Sequence, residues 1–154
     1  MLGCPANKCI VTLKSSNGRY VQASTEQYKG LVFPSSKIVK DAIKWYISFL
    51  GCNTINLKNK KSGNYLTAKP DGEINHLRPH FAGQWEQFKL ELIEDKKYAL
   101  KTYHGKYISA LPKPKGLVGN SESIDEYEIF RIDVCKYHTF VVLPHTHFQH
   151  IIQR

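Results

Sequence analysis

One short motif occurs three times in this chain, and its repetition limits the folds that the chain can adopt. The copies are "NGRYVQAS" at 17–24, "SGNYLTAK" at 62–69 and "HGKYISAL" at 104–111. In each copy a glycine is followed by a polar residue, a tyrosine, an aliphatic residue, a polar residue and an alanine. A Leu-Lys pair precedes each copy, at Leu13-Lys14, Leu57-Lys58 and Leu100-Lys101. A repeat of roughly 43 residues indicates an architecture of three equal units.

Each unit ends on a predicted strand that has one buried face. From Trp45, Phe88 and Phe130, apolar residues recur at every second position. Successive side chains of a strand point to opposite faces, so this period predicts that one face meets a core. The predicted inward residues are Trp45, Ile47 and Phe49; Phe88, Leu90 and Leu92; and Phe130, Ile132 and Val134.

The glycine of the motif predicts a hairpin turn, and the tyrosine begins the return strand. Glycine suits the turn because it accepts positive φ without a steric penalty. The aliphatic residue and the alanine then share one face, so three pairs are predicted to point inward: Val21 with Ala23, Leu66 with Ala68, and Ile108 with Ala110. A third short strand is predicted at 30–33, 73–77 and 116–119.

Four strands in each of three units make twelve, which predicts an all-β fold: a β-trefoil with pseudo-threefold symmetry. Six strands close into a barrel and three hairpins cap it, and such closure removes exposed strand edges. The predicted trefoil spans 1–134, with repeats at about 9–51, 52–94 and 95–134. The histidine-containing segment 135–154 is expected to pack on the trefoil or to extend it. The stretch 35–50 is interpreted as a loop with room for one helical turn.

The formal net charge of +9 is the main signal about partners. It favours an acidic partner, which charge alone does not identify. No run approaches the ~18 apolar residues of a transmembrane helix, and no apolar leader is visible. Cys4, Cys9, Cys52 and Cys135 form no Cys-x-x-Cys pair. They are interpreted as reduced, buried thiols of a cytoplasmic protein that binds no zinc.

The strings "TLKSSNGRYVQA", "NLKNKKSGNYLTA" and "ALKTYHGKYISA" resemble the repeats of the fascin-like and hisactophilin-like β-trefoil family. The resemblance covers about residues 9–134 and rests on three copies in register. It implies a β-trefoil fold and an actin-binding role in the cytoskeleton.

Lysines on or near the hairpin turns are the candidates for binding a partner. They are Lys58, Lys60, Lys61, Lys101, Lys106, Lys113 and Lys115. The leading partner is actin or another acidic protein surface, followed by an anionic lipid or glycan, and nucleic acid is not favoured. The alternative interpretation is an ordinary solvated basic surface, because lysines are routinely exposed.

Two further functions remain open. A lectin-like trefoil would bind carbohydrate on an aromatic platform, for which the candidates are Tyr65, Trp85 and Tyr107. A protein-interaction or inhibitor scaffold would act through its loops, of which the longest predicted loop is 24–44.

No motif of catalysis is present: the chain has no Gly-x-Ser-x-Gly, no P-loop and no His-Glu-x-x-His. The expectation is therefore a non-enzymatic protein without a cofactor or a metal. The tail carries His138, His145, His147 and His150, but short histidine tracts are only compositional hints, so we expect packing rather than metal binding.

Overall fold

The computed structural model describes residues 9–23, 32–35, 39–78, 82–112 and 116–136, and these residues form strands, turns and two one-turn 3₁₀ helices, Gln84–Glu86 and Glu126–Glu128. Twelve strands occur within the described ranges. They are β1 (Cys9–Ser15), β2 (Tyr20–Ala23), β3 (Val32–Ser35), β4 (Trp45–Gly51), β5 (Thr54–Asn59), β6 (Tyr65–Ala68), β7 (Ile74–Arg78), β8 (Phe88–Glu94), β9 (Lys97–Thr102), β10 (Tyr107–Leu111), β11 (Gly116–Ser121) and β12 (Phe130–Lys136).

Six of these strands close into a barrel. β1, β4, β5, β8, β9 and β12 each pair antiparallel with two others of the six, so the ring of hydrogen bonds is continuous. The ring closes where β12 pairs with β1, from Ile10 opposite Lys136 to Ser15 opposite Phe130. No strand of the barrel therefore presents a free edge.

The other six strands form three hairpins, β2–β3, β6–β7 and β10–β11. Two of these hairpins also meet each other: Glu73 bridges Val118, and the Gly119 N–H donates to the Gly72 carbonyl at 2.8 Å. The third strands of the repeats, β3, β7 and β11, lie within two residues of their predicted positions. Three four-strand units around one barrel confirm the predicted all-β, pseudo-threefold architecture.

The core repeats with the chain. Trp45, Phe88 and Phe130 are at most 1% exposed and occupy equivalent places at the starts of β4, β8 and β12. The other layers are equally regular: Leu13, Leu57 and Leu100; Ile47, Leu90 and Ile132; Val21, Leu66 and Ile108; Ala23, Ala68 and Ala110. The alanines lie in the capping hairpins, where a small side chain lets three hairpins converge.

The three hairpin turns that follow β1, β5 and β9 share one backbone feature, although the β5–β6 turn is one residue longer than the other two. Their glycines have positive φ: +84° at Gly18, +75° at Gly63 and +82° at Gly105. A Cβ added at any of them would meet no atom within 4 Å. Glycine is therefore required by the left-handed backbone and not by crowding, as the sequence predicts.

The buried ring of Tyr98 makes the stability of the fold fall as the pH rises in the alkaline range. Tyr98 is 3% exposed and lies opposite Phe130 in the β9–β12 ladder. Burial, with a smaller contribution from the Asp95 carboxylate, raises the pKa of Tyr98 to about 12 from the ordinary 10.0. A raised pKa means that the native state holds the proton more tightly than the unfolded state. The stabilisation is therefore complete below pH 10 and is lost as the pH rises towards 12.

We expect Tyr98→Phe to show a shallower loss of stability between pH 10 and 12, by about 1.4 kcal/mol per pH unit. Urea titrations at several pH values measure this difference. All other ionisable groups are the same in the two proteins, so the comparison of the two slopes isolates the tyrosine. Equal slopes would contradict the assignment.

Candidate binding surface

Each repeat places a lysine against a tyrosine on its outer surface. The lysine of the Leu-Lys pair lies directly opposite the tyrosine of the motif, where the barrel strand meets the hairpin strand. Lys14 Nζ lies 5.3 Å from the ring centre of Tyr20, Lys58 Nζ 5.5 Å from that of Tyr65, and Lys101 Nζ 5.5 Å from that of Tyr107. These are cation–π distances. The recurring lysine and tyrosine thus have a common structural role in all three repeats.

Three seams run between consecutive repeats, and each seam joins a hairpin turn to the last barrel strand of the repeat before it. The first seam joins the β5–β6 turn to β4, the second joins the β9–β10 turn to β8, and the third joins the β1–β2 turn to β12. The three seams have the same backbone plan and different side chains. Differences between them therefore reflect chemistry that the fold itself does not require.

The first seam concentrates lysines. The Lys60 N–H donates to the Lys44 carbonyl at 2.8 Å, which holds the β5–β6 turn against the segment before β4. The ammonium groups of Lys60 and Lys44 lie 3.7 and 3.9 Å from the Asp41 carboxylate. We call Lys44 and Lys60 the lysine cluster, together with the lysines that lie within two residues of Asp41 or Lys60 in the sequence: Lys40, Lys58 and Lys61. Among the described contacts, Asp41 is the acidic residue that lies beside the lysine cluster. The cluster therefore keeps a large net positive charge.

The second seam contains an open groove of about 340 Å³. Thr54, Gln87, Lys89, Lys101 and Tyr103 line it, and the buried ring of Phe88 lies beneath. Lys89 and Lys101 are directly opposite each other in the β8–β9 ladder. None of the described residues that line this groove is acidic.

An aromatic cluster adjoins the groove of the second seam. The Tyr103 and His104 rings meet edge-on with centres 5.7 Å apart, and the Trp85 ring meets His104 at 5.9 Å. His104 Nε2 lies 2.9 Å from the Ala68 carbonyl oxygen, which fixes the imidazole between its neighbours. Tyr103 is 50% exposed. Of the three residues predicted to form an aromatic platform, Trp85 therefore lies near an exposed ring. The rings of Tyr65 and Tyr107 each contact a lysine ammonium group instead.

The third seam also contains a groove, of about 430 Å³, and its charges are mixed. Lys14, Arg131 and Lys97 follow one another across β1, β12 and β9. Glu94 and Glu126 line the same groove. Its cations thus have acidic neighbours within the groove, unlike those of the second seam.

Buried carboxylates hold the last strand of the second and third repeats. Glu86 accepts hydrogen bonds from the Thr67 hydroxyl and the Gly83 N–H, both at 2.7 Å, and is fully buried. Glu128 is its equivalent and accepts from the Ser109 hydroxyl and, at 2.7 Å, from the Asp125 N–H. These two acids were not singled out from the sequence, although each precedes a core phenylalanine by two residues.

The predicted partner-binding lysines fall into two groups. Lys58, Lys60 and Lys61 lie in the first seam. Lys101, in β9, and Lys106, on the turn after β9, lie in the second seam. Lys106 forms an ion pair with Glu122. Lys113 and Lys115 lie outside the described residues, as do the tail histidines His138, His145, His147 and His150.

The prediction of buried, reduced thiols holds only in part for the three cysteines that the structure describes. Cys9 is buried but is in a disulfide bond. Cys52 and Cys135 are free thiols, but they are exposed. Cys52 is exposed because it lies in the tight turn between β4 and β5, with φ of +47°. Disulfides are rare in the cytosol, so the cysteines no longer support a cytoplasmic location.

Neither of two special features occurs in the described ranges. Those ranges contain no helix with the length and apolar character of a membrane span. Among the same residues no group of three or more His, Cys, Asp or Glu side chains is arranged to hold a metal ion.

Comparison with known proteins shows the fold and not a family. No protein-family model matches the sequence, and no curated protein sequence does. Solved structures do match. ThreeFoil, a designed threefold-symmetric protein, is 21% identical with a TM-score of 0.70 over 80% of this chain and 96% of its own. The BEL β-trefoil is 10% identical with a TM-score of 0.73 over 86% of this chain and 97% of its own.

A third match is Cry35Ab1, at 12% identity and a TM-score of 0.71, over 90% of this chain but only 39% of Cry35Ab1. Identities this low establish a shared fold, and a shared fold does not fix an activity. The chain is therefore a β-trefoil, a fold suited to binding modules, and its neighbours do not single out the fascin-like family.

Proposed function

We propose that the protein is a non-enzymatic binding module whose lysine cluster binds an acidic protein surface, with the actin filament as the leading candidate. The observation that carries this proposal is the concentration of lysines in the first seam. Actin is chosen because the three repeats resemble those of the fascin-like and hisactophilin-like family.

The lysine cluster has the properties of a protein-binding surface. The hydrogen bond from the Lys60 N–H to the Lys44 carbonyl fixes the turn that carries Lys60 and Lys61, directly after the strand that carries Lys58. The ammonium-bearing side chains of Lys44 and Lys60 remain 25% and 30% exposed, so they are accessible to a partner. Fixed cations of one sign attract an acidic surface and speed the encounter, and salt weakens that attraction.

We expect the protein to co-sediment with filamentous actin at low salt and to be released as the salt concentration rises. Lys60→Glu/Lys61→Glu should weaken this binding roughly tenfold or more, because two attractions become repulsions in the cluster. The control is Lys14→Glu/Lys97→Glu, which changes the net charge equally in the third seam. We expect it to retain most of the binding.

Three results would contradict the proposal in different ways. Absence of co-sedimentation at the lowest salt concentration would remove actin as the partner. An equal loss in both double variants would mean that overall charge, and not the lysine cluster, drives binding. Binding that is insensitive to salt would exclude an electrostatic contact. An actin partner also places the protein in the cytoplasm, which remains part of the proposal.

A further inference from the structure

We propose that the groove of the second seam binds a sugar ring that carries an acidic group, either a sulfate or a carboxylate. Lys89 and Lys101 would bind the acidic group, and Tyr103 would pack against the ring. This site is separate from the lysine cluster and does not depend on it.

The first argument comes from the departure of this seam from threefold symmetry. The position of Tyr103 is occupied by Ser16 in the first repeat and by Lys60 in the second. The position of Trp85 is occupied by Ala42 and Tyr127 in the other two. Because the first repeat forms a turn of the same length with Ser16 at this position, the fold does not require an exposed aromatic ring at Tyr103. A half-exposed tyrosine at the rim of a groove is typical of a contact for a ligand with an apolar face.

The second argument comes from charge. Like charges directly opposite each other in an antiparallel ladder destabilise the pair, and Lys89 faces Lys101 in this way. Lys101 is partly compensated by the Tyr107 ring, whereas Lys89 is exposed. Glu91 lies further along the same face of β8, but both of its carboxylate oxygens lie 3.0 Å from the Tyr107 hydroxyl that donates to them. An anion held between the two ammonium groups would relieve their repulsion.

The third argument comes from the remaining lining groups. Thr54 and Gln87 offer a hydroxyl and an amide at the groove wall, and these groups both donate and accept hydrogen bonds. A volume of about 340 Å³ is near the lower end for small-molecule sites. A shallow, polar, cationic groove with one exposed ring suits a hydroxyl-rich acidic ligand better than an apolar one.

The chain provides an internal control. The groove of the third seam has the same backbone plan, with Ser16 in place of Tyr103 and with Glu94 and Glu126 in its lining. Lys14 there is the equivalent of Lys101 and contacts Tyr20 in the same way. Substitutions of Lys14 and Lys101 therefore change the same charge in the same structural setting.

The test uses a short dextran sulfate oligosaccharide and an unsulfated dextran of equal length. Calorimetry gives the affinities, and ¹⁵N–¹H spectra show the site. We expect the sulfated ligand to shift the amides of Gln87, Thr102 and Gly105 and to bind at least tenfold more tightly than dextran. Lys101→Gln and Lys89→Gln should each weaken sulfated binding about tenfold, whereas Lys14→Gln should change it less than about twofold.

Tyr103→Ser distinguishes the contribution of the sugar ring to binding from that of the acidic group. Since the first repeat carries serine at this position, the variant is expected to fold, and it should weaken both the sulfated and the unsulfated ligand. The proposed site would be wrong if Lys14→Gln and Lys101→Gln lost equal affinity for the sulfated ligand. It would also be wrong if that ligand shifted the amide signals of Ser16 and Gly18 as much as the signal of Gly105. The sugar part of the proposal would be wrong if a polyglutamate peptide bound as tightly as the sulfated oligosaccharide and its affinity did not change in Tyr103→Ser. Neither actin nor the first-seam variants enter this test, so the two proposals stand separately.

Discussion

Trp45→Ala is expected to lower the free energy of unfolding by about 3–5 kcal/mol, the range for removing a large aromatic side chain from a core. Trp45 is fully buried, and its indole N–H donates to the Val21 carbonyl at 3.1 Å. The substitution therefore leaves a cavity in the aromatic layer and an unpaired carbonyl beside it. Urea denaturation followed by far-ultraviolet circular dichroism measures the change.

Trp45→Phe is the matched variant, because the other two repeats carry Phe88 and Phe130 at this position. It preserves most of the volume and removes the hydrogen bond to Val21, so we expect a smaller loss of about 1–2 kcal/mol. If the alanine variant were as stable as the phenylalanine variant, the aromatic layer would not contribute as the core geometry indicates.

Glu86→Ala is expected to cost about 2–4 kcal/mol, because it leaves the Thr67 hydroxyl and the Gly83 N–H without their acceptor in a buried site. The carboxylate joins the 3₁₀ turn before β8 to strand β6 of the capping hairpin. Its loss therefore loosens the attachment of the hairpin as well as removing two hydrogen bonds.

Glu128→Ala should behave in the same way in the third repeat, since its contacts to Ser109 and Asp125 are equivalent. Glu86→Gln retains an acceptor oxygen at the same place and should cost less than Glu86→Ala. Thermal or urea unfolding ranks the three variants. Glutamine offers one acceptor oxygen where the carboxylate offers two, so a glutamine variant as unstable as the alanine variant would mean that both oxygens must accept a hydrogen bond for the site to hold.

The fold could be predicted because the same pattern of strand and turn residues occurs three times in the sequence. The inward positions of Leu66 and Ala68, the turn at Gly63 and the strand from Phe88 all follow from local rules of periodicity and turn chemistry. Barrel closure follows from the threefold count. The buried acids Glu86 and Glu128 could not be predicted from composition, because glutamate is normally exposed unless it has partners that only the folded chain provides.

The candidate surface was predicted only in part, for a related reason. Lys58, Lys60 and Lys61 are neighbours in the sequence, so their grouping is visible there. Lys44 joins them through the pairing of β4 with β5, which brings the end of one repeat against the turn of the next.

Two other features could not be predicted because they depend on which residues the folded chain brings together. The alternation from Phe88 places Lys89 on the outer face, but its position opposite Lys101 depends on the register between two repeats. Cysteine pairing likewise cannot be deduced from spacing alone, which is why the disulfide at Cys9 was missed.

The closed ring of barrel strands has a consequence for a molecule that carries two unlike surfaces. The lysine cluster and the groove of the second seam lie on successive seams of one hydrogen-bonded barrel, without an intervening linker. Two ligands bound there would be held at a fixed angle and a fixed separation. Under the two proposals above, one trefoil would hold an acidic protein surface and an acidic sugar at the same time without forming a dimer.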